Sequence, residues 1–222
     1  MRTLVIAPHA DDELLGCGGT LLRRQNEGCE VAWLLVTSVE ARFGWDEVKV
    51  EERKEEIRQV RKGLGIKSKN LFELGLEPTG LDQLPMNKLV QQFSKVISAF
   101  EPNELLIPWG HDIHSDHRVV FDAVSSSSKW FRYPSIKRIM SYETLSETDF
   151  ILNQEGHFNP NFFIDISDFF EDKIKLLNVY KSEILPHPFP RSDASVRSLS
   201  VLRGSQSGFK HAEAFQLLRE RN

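Results

Sequence analysis

Cysteine is nearly absent from this chain: Cys17 and Cys29 are its two thiols, too few and too scattered for a disulfide framework or a thiolate metal site. Both read as small apolar fillers, and the low count fits a reducing compartment. No segment approaches the ~20 apolar residues that span a bilayer, and Met1-Arg2 runs into a strand pattern without the apolar stretch of a signal peptide. These features predict a cytoplasmic protein with no membrane partner. Positive charge is not in excess either. Twenty-eight Lys and Arg stand against 32 Asp and Glu, a net charge of −4, so nothing favours nucleic acid or an anionic surface. Repeats and low-complexity tracts are missing apart from Ser125 to Ser128, and no linker marks a domain boundary. The 222 residues, 40% hydrophobic and 27% charged, therefore read as one globular domain, 1–222, with room for a substantial core.

What is present is concentrated in two short clusters. Pro8, His9, Ala10, Asp11, Asp12 and Glu13 follow the apolar run Leu4 to Ala7, and Leu14, Leu15, Leu21 and Leu22 after them have helical spacing. His114, Ser115, Asp116 and His117 follow a second run, Glu104 to Pro108, and precede Val119, Val120, Ala123 and Val124. Each cluster thus occupies a strand-to-helix turn. In open α/β sheets such turns, at the carboxyl ends of strands, are where ligands bind.

Catalytic zinc takes three nitrogen or oxygen ligands and keeps a position for water. His9, Asp12 and His117 are assigned as those ligands, and Asp11 becomes the free carboxylate that takes a proton from the attacking water. Spacing alone does not choose between Asp11 and Asp12. His114 is within reach of the same pocket to hydrogen-bond an oxyanion or protonate a leaving group, with Asp116 orienting and charging its imidazole. Another divalent metal would suit the same donors. A blander origin for the acidic run is helix capping and the macrodipole, and Glu13 is assigned to that role.

The rest of the pattern alternates. Val31 to Val36, Asn70 to Leu74, Ile136 to Tyr142 and Asn161 to Ile166 read as strands, and Trp45 to Leu64, Pro85 to Phe100 and Ser167 to Ile184 as helices. This predicts a Rossmann-like, mostly parallel α/β sheet flanked by helices, with the metal site at the carboxyl ends of its strands. The proline-rich stretch Leu185 to Asp193 reads as a rigid loop, a lid that would bring Arg191 or His187 to the pocket.

Several of these residues carry a resemblance. Pro8 to Glu13 resembles the Pro/Ala-His-x-Asp-Asp-Glu signature, and His114 to Val120 the His-x-Asp-His-x-x-Val signature, of the LmbE-like or PIG-L family of zinc-dependent N-acetylglucosamine deacetylases. Arg53, Glu56 and Leu64-Gly65 resemble its Arg-x-x-Glu helix ending in Leu-Gly, and Ala212 to Phe215 its Ala-Glu-Ala-Phe segment. The resemblance implies zinc on His9, Asp12 and His117, Asp11 as general base, His114 on the oxyanion, Asp116 supporting it, and Arg53 reaching sugar hydroxyls. The expected partner is a small N-acetylated amino sugar or conjugate; homo-oligomerisation is left open.

The departures fall where a substrate would be read. Ala10 replaces a usual proline, Val39 to Trp45 matches the family's glycine-rich loop poorly, and His211 stands where tyrosine is common. Trp109 would offer a platform for a pyranose or pack beneath its loop; Phe43 and Trp45 are further stacking candidates. Two rival readings remain: a nucleotide-binding Rossmann domain, suggested by Gly16, Gly18 and Gly19, and a non-catalytic sugar-binding relative. The first is disfavoured by Asp11, Asp12 and Glu13, which would repel a pyrophosphate at that helix start. The second has no missing reactive group to support it.

Overall fold

The computed structural model describes residues 1–152 and 156–222. Seven strands, β1 (Arg2–Ala7), β2 (Glu30–Thr37), β3 (Leu71–Leu76), β4 (Glu104–Ile107), β5 (Arg138–Tyr142), β6 (Phe162–Asp165) and β7 (Ala212–Glu220), form one sheet in the order β3-β2-β1-β4-β5-β7-β6. Pairing is parallel from β3 to β5, while β7 runs antiparallel to both β5 and β6. Among the described residues six α-helices flank it: α1 (Asp12–Asn26), α2 (Glu47–Gly63), α3 (Met86–Phe100), α4 (Ser115–Ser126), α5 (Phe170–Leu177) and α6 (Asp193–Ser207).

Strand alternation sorts the core into two layers. Val5 and Ala7 of β1 pack with apolar residues of α1, α2 and α5, whereas Leu4 and Ile6 meet those of α3 and α4. Burial on both faces explains why the parallel strands read as continuous apolar runs. No helix among the described residues is long and apolar enough to cross a membrane.

Chain order places the site. From β1 the chain moves outward through β2 to β3, then returns to β4 on the other side of β1. The crevice between the carboxyl ends of β1 and β4 is therefore a topological switch point, and each of the two clusters begins just after one of these strands.

The glycines of α1 serve packing. A side chain at Gly16 would collide with the Tyr142 ring, and one at Gly19 would meet Ile166 at 2.8 Å. They let the helix lie close on the sheet, which accounts for them without a bound nucleotide.

Three elements differ from expectation. The long helix expected over Ser167 to Ile184 is reduced to α5, because the Asp165 carboxylate accepts both the backbone N–H (3.0 Å) and the hydroxyl (2.6 Å) of Ser167, holding it before the helix. Beyond Leu177 the chain turns back, tied by the Tyr180 hydroxyl donating to Glu13 at 3.0 Å. Conversely, α6 and β7 were not expected as elements. Their local signals are ordinary: Ser192 caps α6 by accepting from Ser195 N–H at 3.2 Å, and Gly208 ends it in the left-handed region.

Candidate metal centre and active site

The first turn is built around Asp11, which has φ 143°, a conformation that L residues seldom adopt. The Glu13 carboxylate accepts its backbone N–H at 3.1 Å, while its carbonyl accepts from Leu14 and Leu15 at 3.0 and 2.9 Å. Glu13 thus stays structural, as assigned. The turn is held to β2 by Thr37, whose hydroxyl donates to Pro8 O at 2.8 Å.

Three donor atoms converge beneath this turn. His9 Nδ1 and His117 Nε2 each lie 3.3 Å from Asp12 Oδ2, and the three residues form a group able to hold a metal ion. Donors about 2.0–2.2 Å from one tetrahedral centre would stand roughly 3.3–3.6 Å apart. His117 Nε2 is buried with no hydrogen-bond partner, an orphan that a cation would satisfy.

The far sides of both imidazoles are fixed. His9 Nε2–H donates to Asp116 at 3.1 Å, and His117 Nδ1–H donates to Asp112 at 2.8 Å. Thr148 in turn donates to Asp112 at 2.6 Å. Carboxylates placed so set the tautomer and turn the free nitrogens toward a metal. A second grouping, His9 with His114 and Asp116, also has metal-ligand spacing. Its carboxylate, however, is already engaged by His9 and by the backbone N–H groups of Thr79 (2.7 Å) and Leu81 (3.3 Å). The orphaned nitrogen favours the first set.

Asp116 therefore differs from expectation: its carboxylate orients His9, and only its backbone touches His114. That backbone N–H donates to His114 Nδ1 at 3.1 Å, capping α4. In the neutral ring the proton is left on Nε2. Burial first, then the neighbouring His9 and His117, push His114 down to about 4, so it is a neutral donor and not the expected imidazolium.

The charges of the other groups follow from their surroundings. Burial opposes ionisation of Asp12, yet His117 and His9 hold its carboxyl far below the usual range. Burial and the adjacent Asp12 lift Asp11 to about 7, against the pull of Arg191. His9 is disfavoured as a cation by burial, but Asp116 and Asp12 overcome this and raise it to about 9.

A cavity of about 1190 Å³ opens beside these groups, lined by His9, Asp11, Asp12 and His114, by one side of α2, and by the segment from Asn178 to Glu183. Arg191 reaches it from the proline-rich loop and donates to Asp11 Oδ2 at 2.9 Å, while His187 is exposed outside. Arg53 lines the cavity too, but its guanidinium already serves Ala10 O (2.9 Å), Ser182 (2.9 Å), Glu56 (3.1 Å) and Glu183. It ties α2 to the metal turn. Trp109 moves from site to core: 7% exposed, it packs edge-on to Phe121 and Phe158 and donates to Gly156 O at 3.2 Å, away from the cavity lining. Asp112 went unread in the sequence; its only signal was a lone carboxylate five residues before His117.

A family model described as GlcNAc-PI de-N-acetylase, PIG-L, matches residues 4–128, more than half of the chain and all of both clusters. The chain belongs to the PIG-L family. Among curated relatives, the diacetylchitobiose deacetylase of Thermococcus kodakarensis is 26% identical over 98% of this chain and 83% of its own length. The solved N,N'-diacetylchitobiose deacetylase of Pyrococcus horikoshii superposes with a TM-score of 0.75 at 22% identity, covering 98% of this chain and 84% of that one. GalB of Pseudomonas putida, a 4-carboxy-2-hydroxymuconate hydratase, superposes at 0.77 with 15% identity over 100% and 98% of the two chains. The PIG-L architecture thus carries more than one reaction, and the site must decide between them.

Proposed function

We propose that this PIG-L protein is a metal-dependent deacetylase that hydrolyses the acetamide of an N-acetylated amino sugar or amino-sugar conjugate. The observation that carries the reading is the buried, unpartnered His117 Nε2 facing Asp12 and His9, with a separate carboxylate, Asp11, at the same cavity. The deacetylase relative supports the substrate class. Imidazole and carboxylate donors suit zinc among other divalent ions.

Bound by His9, Asp12 and His117, such an ion would acidify a water and polarise the acetyl carbonyl. Asp11 accepts the proton of that water as it attacks. Its carboxylate is held for this by Arg191, and its raised pKa places it near the working range of a general base. His114 donates from Nε2 to the carbonyl oxygen as negative charge gathers there. When the C–N bond breaks, Asp11 returns the proton to the departing amine, giving acetate and a free amino sugar. Asp116 and Asp112 act through the imidazoles they hold.

Acetate release from a panel of N-acetylated sugars, with zinc supplied, tests the proposal. Asp11→Asn should retain bound zinc while turnover falls by roughly 10²–10⁴-fold. Turnover unchanged in this variant would remove Asp11 as base, and loss of zinc from Asp11→Asn with retention in Asp12→Asn would exchange the two aspartates.

A further inference from the structure

Of the four tryptophans, Trp33 is fully buried, Trp109 packs in the core, and Trp130 sits beside Phe131 with Arg221 over its ring. Trp45 alone among them lines the active-site cavity, and it does so with 43% of its surface exposed. An indole at a cavity wall offers an apolar face that an occupant could cover. Its neighbour Phe43 is not part of the cavity lining, and Arg42 lies over one face of its ring at 4.7 Å.

The position of Trp45 relative to the reacting groups is set by α2. Asp46 caps the helix by accepting from Val48 N–H at 2.9 Å, and Arg53, six residues into α2, donates to Ala10 O beside the ligands. Six residues rise roughly 9 Å, and Trp45 lies beyond the first turn. That span is longer than one pyranose ring. Between the two ends, Lys49 and Glu52 line the same wall and would serve ring hydroxyls. The cavity, about 1190 Å³, also exceeds the ~300–1,000 Å³ usual for a single small ligand.

We infer that Trp45 is the stacking platform of a second sugar subsite, so that the substrate carries a further pyranose beyond the one that bears the reacting acetamide. This deepens the deacetylase reading and rests on it for the reaction. A pyranose presents a face of axial C–H groups to the indole while its equatorial hydroxyls point sideways, toward Lys49 and Glu52. Trp45 would be a specificity-determining residue, remote from the bond that breaks.

The test compares N,N'-diacetylchitobiose with N-acetylglucosamine. Trp45→Ala should raise KM for the disaccharide about five- to tenfold more than for the monosaccharide, with kcat on the disaccharide nearly kept, and Trp45→Phe should recover most of the loss. Binding is read separately. In the Asp11→Asn protein the disaccharide should change tryptophan fluorescence, and adding Trp45→Ala should abolish that change. Equal KM effects on both sugars, or a fluorescence response that survives Trp45→Ala, would overturn the subsite. No acetate from either sugar, with the Trp45-dependent response intact, would sink the deacetylase reading and leave the subsite standing.

Discussion

Asp11 is costly to keep. Its positive φ carries strain of about 1–3 kcal/mol, and its carboxyl titrates near 7 in the fold against 3.8 ordinarily, through burial and the Asp12 charge. Below pH 3.8 both folded and unfolded chains are protonated there, and no penalty exists. Between 3.8 and 7 the native state holds the proton more tightly, so stability falls as pH rises, and above 7 the full cost is present. Asp11→Asn removes the charge but keeps the shape. In metal-free protein it should therefore raise unfolding free energy by up to about 4 kcal/mol at pH 8, with the gain fading toward pH 4. Urea unfolding at the two pH values measures this, and no gain at pH 8 would mean that the buried charge is offset elsewhere. At this scale the sequence revealed the donors but not their partners. His9, Asp12 and His117 were readable because each lies at or close to a helix start that follows an apolar strand. That Asp116 serves His9 and Asp112 serves His117 depends on ring orientation, which no spacing encodes. Trp109 failed as a platform for a similar reason: position after a strand does not say which way a large ring turns.

The break in α1 shows how one element depends on two others. Cys17 has φ −149° inside the helix, freeing backbone groups on either side. Glu213 of β7 accepts from Gly19 N–H at 2.9 Å and Thr20 N–H at 2.7 Å, and Lys173 of α5 donates to Leu15 O at 2.9 Å. The two side chains pair at 2.7 Å, both buried. Removing one partner leaves the other charged, buried and unmatched, so Glu213→Ala should cost about 3–5 kcal/mol. Glu213→Gln keeps an acceptor for the helix and should lose less. Thermal unfolding of the two variants gives the comparison, and equal losses would show that charge contributes nothing at the break. The Ala-Glu-Ala-Phe segment was legible as a family feature, whereas its mechanical role was not, since Glu213 and Gly19 are far apart in sequence and meet only through the sheet. The shortening of α5 was hidden by one local contact and one distant one. Ser167 carries a capping side chain, but Asp165 captures it, and the Tyr180 contact with Glu13 then turns the chain toward the cavity.

For the molecule as a whole, the switch point between β1 and β4 brings the two halves of the proposed ligand set together on an apolar core that does not include them. Both apolar layers close independently of His9, Asp12 and His117. Chelation should therefore abolish acetate release while leaving far-UV circular dichroism unchanged, and zinc should restore activity. Because an ion bound only by the folded chain stabilises it by mass action, zinc at a hundred times its Kd would add about 2.7 kcal/mol, visible as a rise in Tm. The ligand assignment makes that rise selective. His117→Ala should lose it, because the imidazole with the orphaned nitrogen is gone, whereas His114→Ala should keep it while losing turnover. Asp112→Asn should need roughly 10–100-fold more zinc for the same rise, since the His117 ring remains but is no longer held by a carboxylate. A full zinc-dependent rise in His117→Ala would move the metal to the second grouping, where His114 and Asp116 join His9. The loss of that rise in His114→Ala would point the same way.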